Sequence, residues 1–126
     1  MLQLLSGLPA HVAGVRATGS VDKAEYERVL LPELERVSKE FGEINFIMVL
    51  ETSVGNFAAS TWLEDIKQTI KHFAKWNKVA IVTDEKAMEK ITSFASPLIP
   101  GEFKGYPISD IELAKTWVAA PKTAAG

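Results

Sequence analysis

The sequence predicts an α/β fold built on a mostly parallel sheet of four or five strands, with an antiparallel N-terminal edge strand and about four helices. Three features of the 126 residues support this prediction. Short strand patterns alternate with amphipathic helix patterns along the chain, an order that is typical of parallel sheets. Two of the strand patterns are almost wholly apolar, as in strands that helices cover on both faces. The first two strand patterns are joined by a short turn, which favours antiparallel pairing.

The N-terminal residues predict a hairpin. Leucines within residues 2–5 indicate a first strand, and the run Ser-Gly-Leu-Pro at 6–9 indicates a turn. A second strand follows over residues 12–17 and ends near Gly19. The first strand is therefore expected at one edge of the sheet.

A first helix is predicted over residues 22–41. Asp22 and Glu25 have the spacing of a capping box at its start. Its apolar stripe consists of Tyr26, Leu30, Leu34, Val37 and Phe41. Pro32 lies inside this pattern and predicts a kink just before it, because proline lacks the backbone N–H and clashes with the preceding turn. Gly42 is the predicted end of the helix.

Two buried strands and two more helices follow. Residues 44–50 (INFIMVL) and 78–83 (KVAIVT) are the strands. A second helix is predicted over 58–76, with its apolar and charged residues on opposite sides. A third helix is predicted over 84–95, with an aspartate at its start as the cap.

The C-terminal part predicts a short last strand and a last helix. The strand covers residues 103–106, and Ser109 with Glu112 has the spacing of a second capping box. The last helix is expected to continue to about residue 118. Residues 1–118 are thus predicted as one domain, and 119–126, which combine a proline with small residues, as a flexible tail.

The composition excludes several classes of protein. The chain is 47% hydrophobic and 24% charged and contains no cysteine, which excludes a disordered chain, a disulfide scaffold and thiol catalysis. The net charge of −2 argues against nucleic-acid binding. No apolar run reaches the ~18–20 residues of a membrane span, and the N-terminus lacks the basic region of a signal peptide. We therefore expect a cytoplasmic protein without a cofactor.

The order of segments resembles a known family. The segment LSGLPAHVAGVRATGSVDKAEYERVLLPELE is followed by INFIMVLE, then by STWLEDIKQTIKHFAKWNKVAIVTDE, the loop PGEF and a helix ending in Trp117. Across residues 2–118 this is similar to the SpoIIAA-like proteins of the STAS / CRAL-TRIO type, a family of small bacterial proteins. The resemblance implies a four- or five-stranded sheet with helices on both faces. It also implies kinship with STAS domains, which bind nucleotides, anions or partner proteins, and with CRAL-TRIO domains, which carry lipids.

One segment departs from the family pattern. Phospho-switched STAS proteins have an Asp-Ser-Ser-Gly-type motif where the chain enters the second long helix, and residues 51–61 lack it. Ser60 or Thr61 lies about where the target serine would lie. Either side chain is a candidate phosphosite, a candidate anion site at the start of a helix, or an ordinary helix cap.

No pattern of catalytic residues is present. The chain lacks a nucleophile elbow, a phosphate-binding loop and a zinc-protease motif. His11 and His72 are expected to be solvated side chains. Adjacent acids such as Glu64 and Asp65 point in different directions from a helix, so they do not converge. We therefore expect neither an enzyme nor a metal site.

An aromatic and basic region is the most distinctive feature of the sequence. Trp62 and Trp76 lie two heptads apart at the margin of the second helix's apolar stripe, and residues 67–90 contain six lysines against three acids. The predicted ligand- or membrane-facing residues are Phe57, Trp62, Ile66, Ile70, Phe73, Trp76, Met88, Ile91, Phe94, Leu98 and Ile99. The predicted basic surface consists of Lys67, Lys71, Lys75 and Lys78. Tryptophan favours the headgroup level of a bilayer, and lysines are attracted to anionic lipids.

Two functions follow from these patterns. The first is a non-enzymatic binding module for a small apolar or amphipathic, lipid-like ligand, associating reversibly with the inner face of an anionic membrane through the second and third helices. The alternative to this first function is that the same aromatic and apolar residues are ordinary core residues that pack against the sheet. The second is a STAS-type regulatory protein–protein interaction module, switched by phosphorylation at Ser60 or Thr61. A homodimer through residues 2–5 or through the second helix is also open.

Overall fold

The computed structural model describes residues 1–19, 23–51, 76–84 and 101–120. Five strands form one sheet in the order β1-β2-β3-β4-β5. They are β1 (Leu2–Leu4), β2 (Val12–Thr18), β3 (Ile44–Glu51), β4 (Trp76–Thr83) and β5 (Glu102–Pro107). β1 pairs antiparallel with β2, and all other neighbours are parallel. The predicted sheet is confirmed with five strands, including its antiparallel N-terminal edge.

Two helical segments lie in the described part of the chain, where about four helices were predicted for the whole. The first comprises α1 (Lys23–Glu25), a π-helical turn (Tyr26–Leu30) and α2 (Leu31–Phe41). The second comprises a 3₁₀ turn (Ile108–Asp110) and α3 (Ile111–Ala119). Apart from their outermost residues, the ranges predicted for the second and third helices, 58–76 and 84–95, lie outside the described residues.

The predicted irregularity beside Pro32 is present as the π-helical turn. That turn ends at Leu30, which keeps right-handed helical backbone angles, so Pro32 lies inside a continuous helical segment. The missing N–H and the ring of a proline disturb the turn that precedes it, which is where the π-helical turn lies. The predicted stop is also confirmed. Gly42 has a φ of +72° and its N–H donates to the carbonyl of Ser38, an arrangement that favours glycine.

The two faces of the sheet are covered by different elements. On the face that we call the α2 face, the buried apolar residues include Leu2, Val15, Leu30, Leu34, Val37, Phe46, Met48, Val79 and Ile81. On the opposite α3 face they are Val12, Ile47, Val49, Ala80, Val82, Ala114 and Val118. Because strand residues alternate between faces, the apolar run in β3 supplies both clusters, as its continuous hydrophobicity predicts.

Trp76 belongs to this core. It is the first residue of β4 rather than the end of the second helix, and only 8% of it is exposed. Its ring meets the ring of Phe46 edge-on, with centroids 6.3 Å apart, on the α2 face. The prediction that Trp76 faces a ligand or membrane is therefore wrong, and its alternative as a core residue holds.

The outer edge of β1 carries a side-chain contact. The ammonium of Met1 donates to the carbonyl of Thr18, so the next N–H along β1 points away from β2. That N–H, from Leu2, donates to a carboxylate oxygen of Glu25 at 2.9 Å. A carboxylate on a strand edge occupies a donor that another strand would need, and so opposes pairing with a second chain.

The last helix begins differently from the prediction. Ser109 lies within the 3₁₀ turn, and α3 begins after Asp110 without a side-chain capping hydrogen bond. Glu112 instead lies 3.5 Å from the ammonium of Lys115, one turn along the helix. The predicted capping box of Ser109 and Glu112 is wrong, because the 3₁₀ turn moves the start of the helix past the serine.

Candidate functional site

Most of the predicted site residues lie outside the described residues. They are Phe57, Trp62, Ile66, Ile70, Phe73, Met88, Ile91, Phe94, Leu98, Ile99, Lys67, Lys71, Lys75, Ser60 and Thr61. Of the predicted set, Trp76 and Lys78 are described, and both are buried. Among the described residues, the candidate site lies at the two ends of the parallel strands. We call these ends the amino edge and the carboxyl edge of the sheet.

Lys78 holds the end of α3 at the amino edge. Its ammonium donates to the carbonyls of Trp117 and Ala120, at 3.1 and 3.2 Å, and lies 5.4 Å from the centre of the Trp117 ring. The last carbonyls of a helix lack helical partners and carry partial negative charge, so they attract a cation. Lys78 is only 9% exposed, and assigning it to a basic surface was wrong.

His11 contacts the same end of α3. One ring nitrogen, Nε2, lies 2.9 Å from the carbonyl oxygen of Ala119, and the ring meets Phe41 edge-on. His11 is half-buried, so the expectation of a solvated histidine was wrong. Together with Lys78 it occupies the carbonyls that follow the last turn of α3.

Arg36 ties α2 to the loop that enters β2. Its guanidinium donates to the carbonyl of Ala10 at 2.8 Å and to both carboxylate oxygens of Glu33 at 2.9 and 3.1 Å. The hydrogen bond with Glu33 raises the pKa of Arg36 against the opposing effect of burial. Nearby, the amide of Asn77 donates to the side chain of Asn45 at 2.7 Å. Most polar groups at the amino edge thus serve to hold elements together.

An aromatic pair lies beside the last helix on the α3 face. The rings of Tyr106 and Trp117 are 6.4 Å apart, and the ammonium of Lys104 lies 5.3 Å from the centre of the Trp117 ring. Burial, with a smaller contribution from the charge of Asp110, raises the pKa of Tyr106. The Trp117 ring therefore lies close to two cations, Lys78 and Lys104.

The carboxyl edge has a different character. Thr18 of β2 is paired with Glu51 of β3, and β4 ends beside them at Thr83. The Thr83 hydroxyl is buried and donates to the carbonyl of Leu50. The acids Glu51 and Asp84 are exposed here. In open parallel sheets, ligands bind outside the carboxyl ends of the strands.

One loose ion pair crosses this edge. Arg16 Nε lies 3.7 Å from a carboxylate oxygen of Glu51, and the two side chains are 41% and 36% exposed. This separation exceeds that of a hydrogen bond, and Nε has no hydrogen-bond partner. Exposed pairs of this kind contribute only about 0–1 kcal/mol to stability. Neither residue was predicted as a site residue from the sequence. The signal that indicates them is the position of an acid directly after a buried strand.

The described residues contain neither a cluster that could hold a metal ion nor a helix that could span a membrane. Within them, no three side chains of histidine, aspartate or glutamate come together as a metal site would require. None of the helices in that part of the chain has the length and hydropathy needed to span a bilayer.

Comparison with known proteins identifies a family for this chain. The sequence model of the SpoIIAA-like family matches residues 12–119, which is most of the chain and includes β2 to α3. The resemblance drawn from the sequence is thereby confirmed. No curated protein and no solved structure matches the chain.

Proposed function

The chain belongs to the SpoIIAA-like family, and from that premise we propose that it is a regulatory module that binds a partner protein at the carboxyl edge of its sheet. Family membership by itself supports a regulatory protein-interaction module at most, since SpoIIAA-like and STAS domains are typically non-enzymatic binding modules. The choice of surface is the finer part of the proposal.

The carboxyl edge is chosen as the partner surface because the two edges of the sheet differ in the burial of their charged side chains. At the carboxyl edge, Glu51 and Asp84 are exposed, and the contact of Glu51 with Arg16 is long. Such side chains can change partners at small cost, because an exposed pair contributes little to stability. Two neighbouring acids favour a partner whose contact surface carries lysine or arginine.

The proposed switch is phosphorylation of Ser60 or Thr61. Both residues belong to the segment that follows Glu51 and so leaves β3 at the carboxyl edge. A phosphate adds a charge of about −1.5 to −2, which changes the electrostatics of any surface to which the segment contributes. A phosphopeptide covering residues 57–67, isolated from cells, supports the switch; its absence under several growth conditions counts against it.

Photo-crosslinking in cells tests the surface. A photoreactive residue replaces Glu51 or Asp84, and in the control it replaces Glu35, an exposed acid of α2. We expect one partner to crosslink from positions 51 and 84 and not from position 35. Crosslinking from position 35 alone would overturn the choice of surface.

Affinity measurements with the purified partner then follow. Glu51→Lys is expected to weaken binding about tenfold or more, because it places a cation against a basic contact surface. Glu35→Lys makes the same charge change on α2 and is expected to leave the affinity unchanged. Equal weakening by both variants would show a general charge effect and would contradict a defined contact at Glu51.

A second candidate function is binding of a small apolar or amphipathic ligand, with reversible association with an anionic membrane and a cytoplasmic location at its inner face. It is supported by the excess of lysines in residues 67–90 and by the aromatic positions 57 and 62. Trp76 and Lys78 no longer support this candidate, because both side chains are buried.

Tryptophan emission during vesicle titration tests this candidate. A variant that keeps only Trp62 is compared with one that keeps only Trp117, which is half-buried on α3. A salt-sensitive blue shift of Trp62 with anionic and not with neutral vesicles supports membrane association. No shift with either lipid favours the protein-interaction module. A homodimer is tested by sedimentation, for which the monomer mass is 13.8 kDa.

A further inference from the structure

A small polar cleft lies on the α3 face, between β1 and α3. Its volume is about 130 Å³, and it is lined by Gln3, Leu4, Leu5, Ser6, Arg16 and Lys115. The cleft is open to solvent and has room for several water molecules or for one small polar group. Two cations, from β2 and from α3, reach it from different elements of the fold.

The polar groups of the cleft have unused hydrogen-bonding capacity. Arg16 takes part in one long ion pair, its Nε is buried, and that atom has no hydrogen-bond partner. The ammonium of Lys115 lies 3.5 Å from Glu112, a side chain that is 83% exposed. A buried donor without a partner indicates a water or ion that belongs at the site. Guanidinium and ammonium groups are the usual partners of carboxylate and phosphate oxygens.

The charges around the cleft limit the ligand that fits. Each cation already has one acid near it, Glu51 for Arg16 and Glu112 for Lys115, so the cleft is close to neutral before a ligand enters. An incoming anion must therefore compete with Glu51 for the guanidinium. This competition predicts weak binding and gives a test in which one substitution weakens binding and another strengthens it.

We propose that this cleft binds a small oxyanion, the carboxylate or phosphate group of a small molecule, between Arg16 and Lys115. The fork of the guanidinium contacts two oxygens and the ammonium contacts a third, while Gln3 and Ser6 offer neutral donors from the other wall. The cleft shares the Arg16–Glu51 pair with the proposed partner surface, but oxyanion binding needs no partner protein, so each proposal can fail while the other holds.

The test is an NMR titration of the intact protein with inorganic phosphate, with acetate and, at matched ionic strength, with chloride. We expect saturable shifts of the backbone amides of Gln3, Ser6 and Arg16 with phosphate or acetate and not with chloride. A response to phosphate alone indicates a phosphate ligand, and a response to acetate indicates a carboxylate. No saturable shift with either oxyanion, or equal shifts with chloride, overturns the proposal.

Three variants separate the site from general charge effects. Lys115→Gln is expected to weaken oxyanion binding about threefold to fivefold, because it removes one exposed charge contact. Glu51→Gln is expected to strengthen it by a similar factor, because it removes the competing carboxylate. Lys39→Gln, which removes an exposed lysine of α2, is the matched control and is expected to leave the affinity unchanged.

The variants also keep this proposal separate from the partner surface. Loss of partner binding in Glu51→Lys with unchanged oxyanion titration of Lys115→Gln would support the proposed function and overturn the cleft. In the reverse result, Lys115→Gln and Glu51→Gln shift the oxyanion affinity in opposite directions, and Glu51→Lys leaves partner binding intact. That result would support the cleft and overturn the proposed partner surface.

Discussion

The two edges of the sheet use polar residues in opposite ways. At the amino edge, Lys78 donates to two carbonyls and His11 contacts a third, and both side chains are buried or half-buried. At the carboxyl edge, Arg16 and Glu51 form a 3.7 Å ion pair of partly exposed side chains, and Asp84 is exposed. The first edge fixes α3 on the sheet, whereas the second presents charge to solvent.

This difference separates residues that support the fold from residues that are available for binding. A buried cation that holds the end of a helix cannot be removed without loss of the hydrogen bonds that it donates to the last carbonyls of that helix. A half-exposed ion pair can open at a cost of about 1 kcal/mol or less. Substitutions at the amino edge should therefore change stability, and substitutions at the carboxyl edge should change binding.

Trp76→Ala is expected to have the largest effect on stability. Its ring fills the α2 face at the amino edge and contacts Phe46, so its removal leaves a cavity that costs about 3–5 kcal/mol of the free energy of unfolding. Urea denaturation measures the loss. Trp76→Phe, which keeps an aromatic ring, is expected to lose about 1 kcal/mol. A loss below about 1 kcal/mol for the alanine variant would mean that Trp76 is not a core residue in solution.

Lys78→Met is expected to have the next largest effect. Methionine keeps most of the side-chain volume but leaves the carbonyl of Ala120 without the ammonium and the carbonyl of Trp117 with only the N–H of Ala120, at a cost of about 2 kcal/mol. Glu51→Gln is the matched control at the carboxyl edge and is expected to change stability by less than about 0.5 kcal/mol. Equal losses in the two variants would remove the distinction between the edges.

Hydrogen exchange sharpens the same comparison. If Lys78 holds the end of α3, Lys78→Met should increase exchange of the amides in the last turn of α3 more than that of the amides in β3. Uniform loss of protection over both elements would indicate that the substitution acts on global stability rather than on the end of the helix.

The sequence predicted the strands well because their signal is local. The nearly unbroken apolar run of β3 requires cover on both faces, and the observed clusters on the two faces divide its residues as alternation demands. The irregularity at Pro32 and the stop at Gly42 follow from properties of single residues, a missing N–H and freedom to adopt positive φ.

The start of β4 shows why the predictions for Trp76 and Lys78 were wrong. The register with β3 shifts there, since Ile44 is paired with Trp76 while Asn45 is paired with Lys78, leaving Asn77 as an extra residue. In a regular strand Trp76 and Lys78 would share a face; the bulge places the tryptophan on the α2 face and the lysine beside α3. No local pattern in the sequence indicates this bulge.

The partners of the site residues are distant in sequence. Lys78 donates to carbonyls 39 and 42 residues further along the chain, so its role depends on where α3 ends in space. Arg16 pairs with an acid of the neighbouring strand, a contact that follows only from the parallel register of β2 and β3. The sequence indicated Lys78 as a basic residue but not its partners, and it did not indicate Arg16 or Glu51, because these roles depend on the register of the strands and on the end of α3.

The smallest expected effect concerns Tyr106, near the carboxyl end of β5. Burial and the charge of Asp110 raise the pKa of this phenol above its ordinary value of 10.0, so the folded state retains the proton after the unfolded state has lost it. The unfolded chain then binds fewer protons, and the free energy of unfolding falls as pH rises from about 10 through the raised pKa. Urea denaturation between about pH 9 and pH 11 should show a shallower fall for Tyr106→Phe than for the unsubstituted protein. Asp110→Asn, which removes the smaller cause and keeps the burial, should give an intermediate slope. Identical slopes in all three proteins would mean that the ring of Tyr106 is fully hydrated in solution. The ring contact between Tyr106 and Trp117 would then not be formed in solution.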